Sequence, residues 1–301
     1  MGPYKKLGGG SFSTVFQYQL DGNPVAVKIP NTIEFNIMQQ HEIKLLKEAN
    51  SHPNIIKFHC SLDVGDMRWI IMELMQGTVR DLLNKNSSLS WNTKLSLARQ
   101  LLEGIAYLHC LTATHFTREG INHQDIKTEN LLIDRLTDDP YIKLKISDFG
   151  IAKRIDQVTL PLIGNIFAAT RKGNVGGTLD YAAPEIYHAL CKRNENNELK
   201  SDVFSAGITL WEIATGQIPH RTMEEITQGR LNAFDEDKQR NRRVVSSSQF
   251  SKRLTKSEPT YPQSAFFGPV INKCIKKRPR DRYSAREAFE KLQQIDLSRS
   301  F

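Results

Sequence analysis

Residues 201–215 are the part of this chain that most restricts its fold, because they are apolar on nearly every face of a helix. The apolar positions are Val203, Phe204, Ala206, Ile208, Leu210, Trp211 and Ile213. A helix of this composition is normally buried on all sides, and Gly216 follows at a usual helix stop. The sequence therefore predicts a lobe large enough to surround one central helix.

The first 75 residues predict a smaller lobe of strands with one helix. Strands are expected at 14–20, 25–29 and 69–72, a turn at 22–24 and a helix at 34–49. The apolar stripe of that helix consists of Met38, Leu45, Leu46 and Ala49. Glu42 lies on the same stripe, and a carboxylate that faces a core needs a partner. Lys28 ends a strand of buried type. It is either a snorkelling surface residue or the partner of Glu42, in which case its ammonium can be aimed at nucleotide phosphates.

The rest of the chain is mainly helical in pattern. Apolar residues recur at helical spacing from 95 to 108. Ser284 and Glu287 form a capping box that opens a last helix at 285–295. Stretches at 111–119 and 235–262 lack this periodicity and are expected to be loops. The whole pattern predicts an α+β fold in which two lobes share a cleft.

Composition limits the functional classes. The 301 residues are 39% hydrophobic and 25% charged, which is typical of a globular protein, and no apolar run approaches the ~20 residues of a membrane helix. Four scattered cysteines, one of them Cys191, predict reduced thiols. The start of the chain lacks a secretory signal, so a cytoplasmic protein is expected, with delivery into another cell left open.

The net charge of +8 falls outside residues 1–75, which hold seven basic and seven acidic residues. A solvated basic face is one explanation, and a docking surface for acidic partners near residues 237–243 is the other. No basic motif interleaved with aromatic residues indicates nucleic acid binding.

A glycine-rich segment, Gly8-Gly9-Gly10-Ser11-Phe12-Ser13, lies between two strand-like runs. Glycines let a backbone approach phosphates closely and offer N–H groups to their oxygens, although a glycine triplet also makes plain turns. Leu7 and Val15 flank the segment and are expected to cover an adenine ring.

Two later motifs carry groups for phosphoryl transfer: the run from His123 to Asn130, HQDIKTEN, and Asp148-Phe149-Gly150. Either motif alone would be an ordinary turn or strand end. Together with the glycine-rich segment and Lys28, they make the chain resemble the protein kinase family from Leu7 to Leu292. The resemblance implies a small antiparallel β lobe with one main helix, residues 1–75, and a larger mainly α-helical lobe, residues 76–301. No appended domain is expected.

The resemblance also implies roles for particular residues. Asp125 would accept or orient the proton of the substrate hydroxyl, and Lys127 would neutralise charge on the γ-phosphate. Lys28 and Glu42 would form the catalytic ion pair. The expected cofactors are ATP and Mg²⁺, with Mn²⁺ as an alternative metal. Asn130 and Asp148 are expected to hold the metal ion. The expected ATP-binding residues are Leu7, Gly8, Gly9, Gly10, Ser11, Phe12, Ser13, Thr14, Val15, Ala26, Lys28, Met72, Glu73, Met75 and Leu132.

Further matches concern architecture. Residues 177–185 resemble the end of an activation segment, in which Glu185 would pair with Arg282. Asp202 would start the central helix and bind the backbone of the catalytic loop. Leu46, His123 and Phe149 would stack in a spine that links the lobes.

Lys127 and Thr178 resemble the residues that line the hydroxyl site of serine/threonine kinases. The sequence of residues 177–181 is more similar to the tyrosine-kinase-like group of these enzymes. We therefore expect an active enzyme that phosphorylates serine or threonine in proteins, itself included. The alternatives are a pseudokinase that binds nucleotide or partners, and a small-molecule phosphotransferase of the same fold.

The chain departs from the family pattern at Ser13, at Gln124, in a link lengthened by residues 111–119, and in a long stretch from Asp148 to Glu185. Ser13 replaces the third glycine of the loop. Gln124 replaces the arginine that usually precedes the catalytic aspartate, and a neutral amide cannot form a charged bidentate pair with phosphate. We therefore expect weak or no switching by activation-loop phosphorylation, with alanine at Thr159 or Thr170 leaving activity unchanged. Apolar residues within 160–167 are expected to pack on the lobe or to form a docking surface.

Overall fold

The computed structural model describes residues 5–86, 88–111, 120–154, 178–189, 199–219 and 262–295. Several expectations lie outside these residues: the loop at 235–262 except its last residue, the apolar stretch at 160–167, the basic segment at 237–243, Cys191, and residues 112–119 of the first loop. No helix in the described part of the chain is both long and apolar enough to cross a membrane.

The small lobe is built on a five-stranded antiparallel sheet with strand order β1-β2-β3-β5-β4. Its strands are β1 (Lys5–Gly9), β2 (Ser13–Leu20), β3 (Asn23–Pro30), β4 (Phe58–Val64) and β5 (Met67–Glu73). The predicted turn at 22–24 is displaced by one residue. Asp21 and Gly22 make the turn, both with positive φ (51° and 79°), which is the backbone that a two-residue hairpin requires.

Helix α1 (Asn36–Ala49) packs on this sheet. The sequence predicted a helix from residue 34, but a 3-10 turn at Ile33–Phe35 precedes α1. The predicted stripe is confirmed, because all four of its apolar residues are buried and Glu42 is buried beside them.

The large lobe is mainly helical. The helices among its described residues are α2 (Val79–Lys85), α3 (Trp91–Cys110), α4 (Thr178–Tyr181), α5 (Pro184–Ala189), α6 (Leu199–Thr215), α7 (Pro262–Cys274) and α8 (Ala285–Gln293). One small sheet joins β6 (Gly77–Thr78), β8 (Leu131–Ile133) and β9 (Leu144–Ile146), and another joins β7 (Ile121–Asn122) and β10 (Lys153–Arg154). A 3-10 turn covers Thr128–Asn130 and another covers Pro279–Asp281.

Helix α6 is the centre of the large lobe, as its composition predicted. Every residue from 201 to 214 is buried, and α3 and α7 pack against it. Gly207 allows the close approach of α7, because a Cβ there would lie 2.6 Å from the Ile275 side chain and 2.8 Å from Cys274 Cβ. The capping box of Ser284 and Glu287 opens α8 as predicted, but α8 ends at Gln293, two residues early.

Candidate active site

A cavity of about 1050 Å³ lies between the two lobes. It is bounded by the glycine-rich segment, β3 and α1 on one side, and by the catalytic-loop motif and Asp148 on the other. The predicted site residues that line it are Leu7, Gly8, Gly9, Gly10, Ser11, Phe12, Ser13, Val15, Ala26, Lys28, Glu42, Met72, Glu73, Met75, Asp125, Lys127, Asn130, Leu132 and Asp148. Groups that lie up to 141 positions apart in sequence thus meet in one crevice, with Leu7 and Asp148 at the extremes.

Although its ATP-binding role stays a prediction, Thr14 differs from the other expected ATP-binding residues in its position. It does not line the cavity, and its hydroxyl donates a hydrogen bond to Asn31 Oδ1 at 2.8 Å. Successive side chains of a strand point to opposite faces, so Ser13 and Val15 face the cavity while Thr14 faces away.

Lys28 and Glu42 form the expected ion pair. The Lys28 ammonium lies 2.7 Å from both Glu42 carboxylate oxygens and 2.8 Å from Asp148 Oδ1. Lys28 and Glu42 are buried, whereas the Asp148 side chain is about half exposed to the cavity (47%). Strand β3 and helix α1 thus supply a fixed cation beside an accessible anion.

The charges of this cluster follow from its geometry. Burial on its own would lower the pKa of Lys28, but the charges and hydrogen bonds of Asp148 and Glu42 raise it above the ordinary lysine value. Desolvation would raise the pKa of Asp148, but Lys28 lowers it far below the ordinary aspartate value. The ammonium and the Asp148 carboxylate are therefore both charged at neutral pH.

The catalytic-loop residues form a second cluster. Lys127 Nζ lies 3.0 and 2.8 Å from the two Asp125 carboxylate oxygens. The Asn130 side-chain amide donates to Asp125 Oδ2 and to the Asp125 carbonyl, both at 2.8 Å. These bonds fix the Asp125 carboxylate at the cavity wall beside a cation.

Asp202 orders the backbone of the loop, as the resemblance implied. Its carboxylate accepts hydrogen bonds from the N–H groups of His123 at 2.7 Å and Gln124 at 2.8 Å, and His109 Nε2 lies 3.1 Å from it. Asp202 lies within α6, which begins three residues earlier, at Leu199.

Gln124 has a left-handed backbone, with φ of 66°, and its buried side-chain carbonyl oxygen has no hydrogen-bond partner among the residues that the structure describes. The loop is therefore ordered by contacts other than that carbonyl group, as the hypothesis on Gln124 required. The part of the hypothesis that concerns phosphorylation stays a prediction, because residues 155–177 lie outside the described residues.

Two further expectations concern packing between elements. The rings of His123 and Phe149 meet edge to face with centroids 4.9 Å apart, and Leu46 is fully buried in the same core. Arg282 pairs with both oxygens of Glu185. Its guanidinium also donates to backbone carbonyls of the large lobe, so this pair anchors α5 and lies apart from the cavity.

Sequence reasoning missed a buried network beneath the catalytic loop. Glu212 of α6 is fully buried and lies 2.6 Å from Arg80 Nη1. It accepts hydrogen bonds from Tyr181 at 2.5 Å and Thr128 at 2.8 Å. The signal was available, because an acidic residue in a helix that is apolar all round needs a partner just as Glu42 does.

A divalent metal fits the donor atoms at the cavity. Asp148 offers a charged, half-exposed carboxylate, and Asn130 uses its amide nitrogen for Asp125, so that its amide oxygen is not engaged in those bonds. No group of three or more His, Cys, Asp or Glu side chains in the described ranges is arranged to hold a metal ion. A donor set of one carboxylate and one amide suits a hard cation whose other ligands come from phosphates and water.

Comparison with known proteins gives a consistent result. Residues 2–292 match the family described as protein kinase domain. A "probable serine/threonine-protein kinase" of Dictyostelium discoideum is 29% identical over 287 residues, 94% of this chain and 14% of that protein. The serine/threonine-protein kinase CTR1 of Arabidopsis thaliana is 31% identical over 71% of this chain and 24% of that protein.

A third relative is named for a broader specificity. The dual specificity testis-specific protein kinase 2 of Homo sapiens is 31% identical over 69% of this chain and 33% of that protein. The chain thus spans 33% or less of the length of each of these three relatives.

Proposed function

Because this chain belongs to the protein kinase domain family, we propose that it transfers the γ-phosphate of ATP to serine or threonine hydroxyls of proteins, with itself among the substrates. One observation carries the proposal. The Lys28–Glu42 pair of the small lobe lines the same cavity as Asp148 and the Asp125–Lys127–Asn130 cluster of the large lobe, and Lys28 contacts Asp148 across it. Phosphoryl transfer requires mainly this kind of positioning and charge.

Different residues of the chain bind the adenine ring and the phosphates. Met72 and the backbone of residues 73–75 hold the adenine ring at the back of the cavity, beneath the glycine-rich segment. The protonated Lys28 draws the α- and β-phosphates towards the small lobe. A fixed cation at this point stabilises charge without having to reorganise during the reaction.

Asp125 acts on the acceptor. Its carboxylate orients the substrate hydroxyl and takes its proton as the oxygen attacks the γ-phosphorus, while the bond from that phosphorus to the β-γ bridging oxygen breaks. Lys127, held against Asp125, neutralises negative charge on the transferred group. ADP leaves with the former bridging oxygen.

We propose Mg²⁺ as the metal, with Mn²⁺ as a substitute, and Asn130 and Asp148 as the residues that hold it. Bound there, the ion would neutralise phosphate charge and orient the triphosphate. The low pKa of Asp148 supports this assignment, because the carboxylate needs no deprotonation before it binds a cation.

The test is transfer of label from γ-labelled ATP to a generic basic protein and to the chain itself, with the modified residues mapped by mass spectrometry. The wild type is compared with Asp125→Ala and Asp148→Ala, and with Asp66→Asn as a matched control on an exposed turn that does not line the cavity. We expect label on serine or threonine from the wild type and the control, and none from the two cavity variants.

Two results would contradict the proposal. Nucleotide binding without transfer by the wild type would identify a pseudokinase. Label on tyrosine as well as on serine or threonine would place the chain with the dual-specificity relatives.

A further inference from the structure

We infer that Asn31 is a positioning residue, which sets the backbone of the glycine-rich segment so that its N–H groups face the phosphates of the nucleotide. The inference rests on the proposed function, because it names how that site holds ATP. Asn31 directly follows β3, is exposed, and is not among the residues that line the cavity.

The evidence is a set of four hydrogen bonds that converge on this one residue. The Asn31 side-chain amide donates to the carbonyl oxygens of Gly10 at 2.9 Å and Ser11 at 3.1 Å. The Asn31 backbone N–H donates to the Phe12 carbonyl at 2.9 Å. The Thr14 hydroxyl donates to Asn31 Oδ1 at 2.8 Å. Three consecutive carbonyl groups at the tip of the segment are thus bound from outside the cavity.

The directions of these carbonyl groups determine the directions of the neighbouring N–H groups. In a planar trans peptide the C=O of one residue and the N–H of the next point in opposite directions. Because the carbonyls of Gly10 and Ser11 point to Asn31, the N–H groups of Ser11 and Phe12 point away from it. Residues 8–13 line the cavity and Asn31 lies behind them, so these two N–H groups face the cavity side. Successive N–H groups that face one concavity form an anion site.

The chemistry of asparagine fits this role. Its amide offers two donors on nitrogen and one acceptor on oxygen. The hydroxyl bond from Thr14 to Oδ1 fixes which end of the amide faces the segment, so the nitrogen is directed at the two carbonyls. This also explains why Thr14 belongs to the site without lining it. An aspartate at position 31 would offer acceptors only and could not hold the carbonyls.

The energetic consequence concerns binding of nucleotide. A glycine-rich segment samples many backbone conformations, and ordering it at the moment of binding lowers affinity. Bonds that order it beforehand improve affinity without touching the substrate hydroxyl. We therefore expect loss of Asn31 to raise KM for ATP by roughly tenfold while kcat and KM for the protein substrate change less than about twofold.

The experiment compares the wild type with Asn31→Ala and Thr14→Val, and with Asn23→Ala as a matched control at the other end of β3. Four quantities are measured: KM for ATP, kcat, the Kd of a non-hydrolysable ATP analogue, and amide hydrogen exchange of residues 8–16 without nucleotide. For Asn31→Ala we expect higher KM and Kd and faster exchange. Thr14→Val should shift all three in the same direction by less, and Asn23→Ala should shift none.

The outcomes separate this inference from the proposed function. If the wild type transfers phosphate but Asn31→Ala keeps wild-type KM, Kd and exchange, Asn31 has no positioning role and the proposed function stands. A fall in kcat at unchanged KM and Kd would also overturn the inference. If the wild type transfers no phosphate, the proposed function falls, and the Kd and exchange results still decide the role of Asn31.

Discussion

The Lys28 ammonium is held by two carboxylates that differ in burial. Glu42 is almost fully enclosed, whereas Asp148 is half open to the cavity. The enclosed carboxylate fixes the position of the ammonium, and the open one remains available to a cation. An ion that displaced the Asp148 contact would leave Lys28 paired with Glu42 and free to donate to phosphate.

The first prediction concerns Glu42→Gln. The amide keeps the size of the side chain but removes the charge that orients Lys28, so the ammonium is held by Asp148 alone. We expect kcat/KM to fall about 10²-fold, as when one preorganised electrostatic contact of an active site is removed. Steady-state kinetics against Glu34→Gln, an exposed glutamate just before α1, provides the measurement and the control. A fall of less than about threefold would mean that Glu42 does not orient Lys28.

Single residues were predictable from sequence where burial conflicted with polarity. Glu42 stood out because a carboxylate on an apolar stripe needs a partner, and Lys28 was that partner. The position of Thr14 outside the cavity lining follows from the alternation of side chains along a strand, which the motif alone does not show. Asn31 gave no signal, because its hydrogen bonds are to backbone carbonyls whose position depends on how the loop turns.

At the scale of elements, helix α1 is tied to the chain that follows Gly150. His41 Nε2 donates to the Ala152 carbonyl at 2.7 Å. Glu48 lies two turns further along the same face of α1 and pairs with Arg154 of β10. The Arg154 side chain is almost fully buried. These contacts hold α1 against the large lobe, which keeps Glu42 within reach of Lys28.

The second prediction tests that connection with Glu48→Gln, Arg154→Gln and the double variant. If the pair acts as a unit, each single change lowers kcat/KM by about tenfold and the double change lowers it no further than the worse single variant. Lys44→Gln, on the exposed face of α1, is the control. Additive losses in the double variant would show that the two residues act separately.

The third prediction concerns pH and the network that joins α2, α4 and α6. Burial raises the pKa of Glu212 to about 7, although Arg80, Tyr181 and Thr128 oppose the shift. As the pH rises, the unfolded chain releases the Glu212 proton near pH 4.5, whereas the folded protein keeps it until about pH 7. The stabilisation is full below pH 4.5 and is lost as the pH rises through 7.

Replacement by Gln removes this titration. Between pH 5 and pH 8 the free energy of unfolding of the wild type should fall by about 2–3 kcal/mol relative to Glu212→Gln. Urea unfolding at several pH values measures the difference, with the exposed Glu290→Gln as control. The diagnostic quantity is the pH slope, because effects of the substitution on packing and on uncharged hydrogen bonds shift stability equally at every pH. Parallel curves for wild type and Glu212→Gln would exclude a proton on Glu212.

For the helices and strands that the sequence predicted, existence and type followed from periodicity, whereas their ends did not. Helix α1 was predicted two residues too early because Ile33–Phe35 continue the helical pattern but adopt a 3-10 turn. Helix α8 was correctly opened at its capping box, since that signal is local, but no comparable signal marked its end. The two-stranded pairing of β7 with β10 was not predicted, because two residues are too few to show any period.

At the scale of the whole molecule, the lobes are joined behind the cavity by the segment that follows α1. Ile55 and Ile146 form a parallel bridge, with the Ile56 N–H donating to the Ile146 carbonyl at 3.0 Å. The His52 ring stacks on Tyr107 of α3 with centroids 4.5 Å apart. The C-terminal end of α1 is thus fixed to the large lobe, whose core is the central helix that the sequence indicated first.

In the proposed function Asp125 and Asp148 act on one nucleotide, and binding of a non-hydrolysable ATP analogue with Mg²⁺ tests this most directly. Asp148→Asn should lose most of its Mg²⁺-dependent affinity. Asp125→Asn should bind the nucleotide within about threefold of the wild type and yet transfer no phosphate from ATP. The roles proposed for the two residues would be contradicted if Asp148→Asn kept the Mg²⁺-dependent affinity of the wild type. They would also be contradicted if Asp125→Asn transferred phosphate as the wild type does.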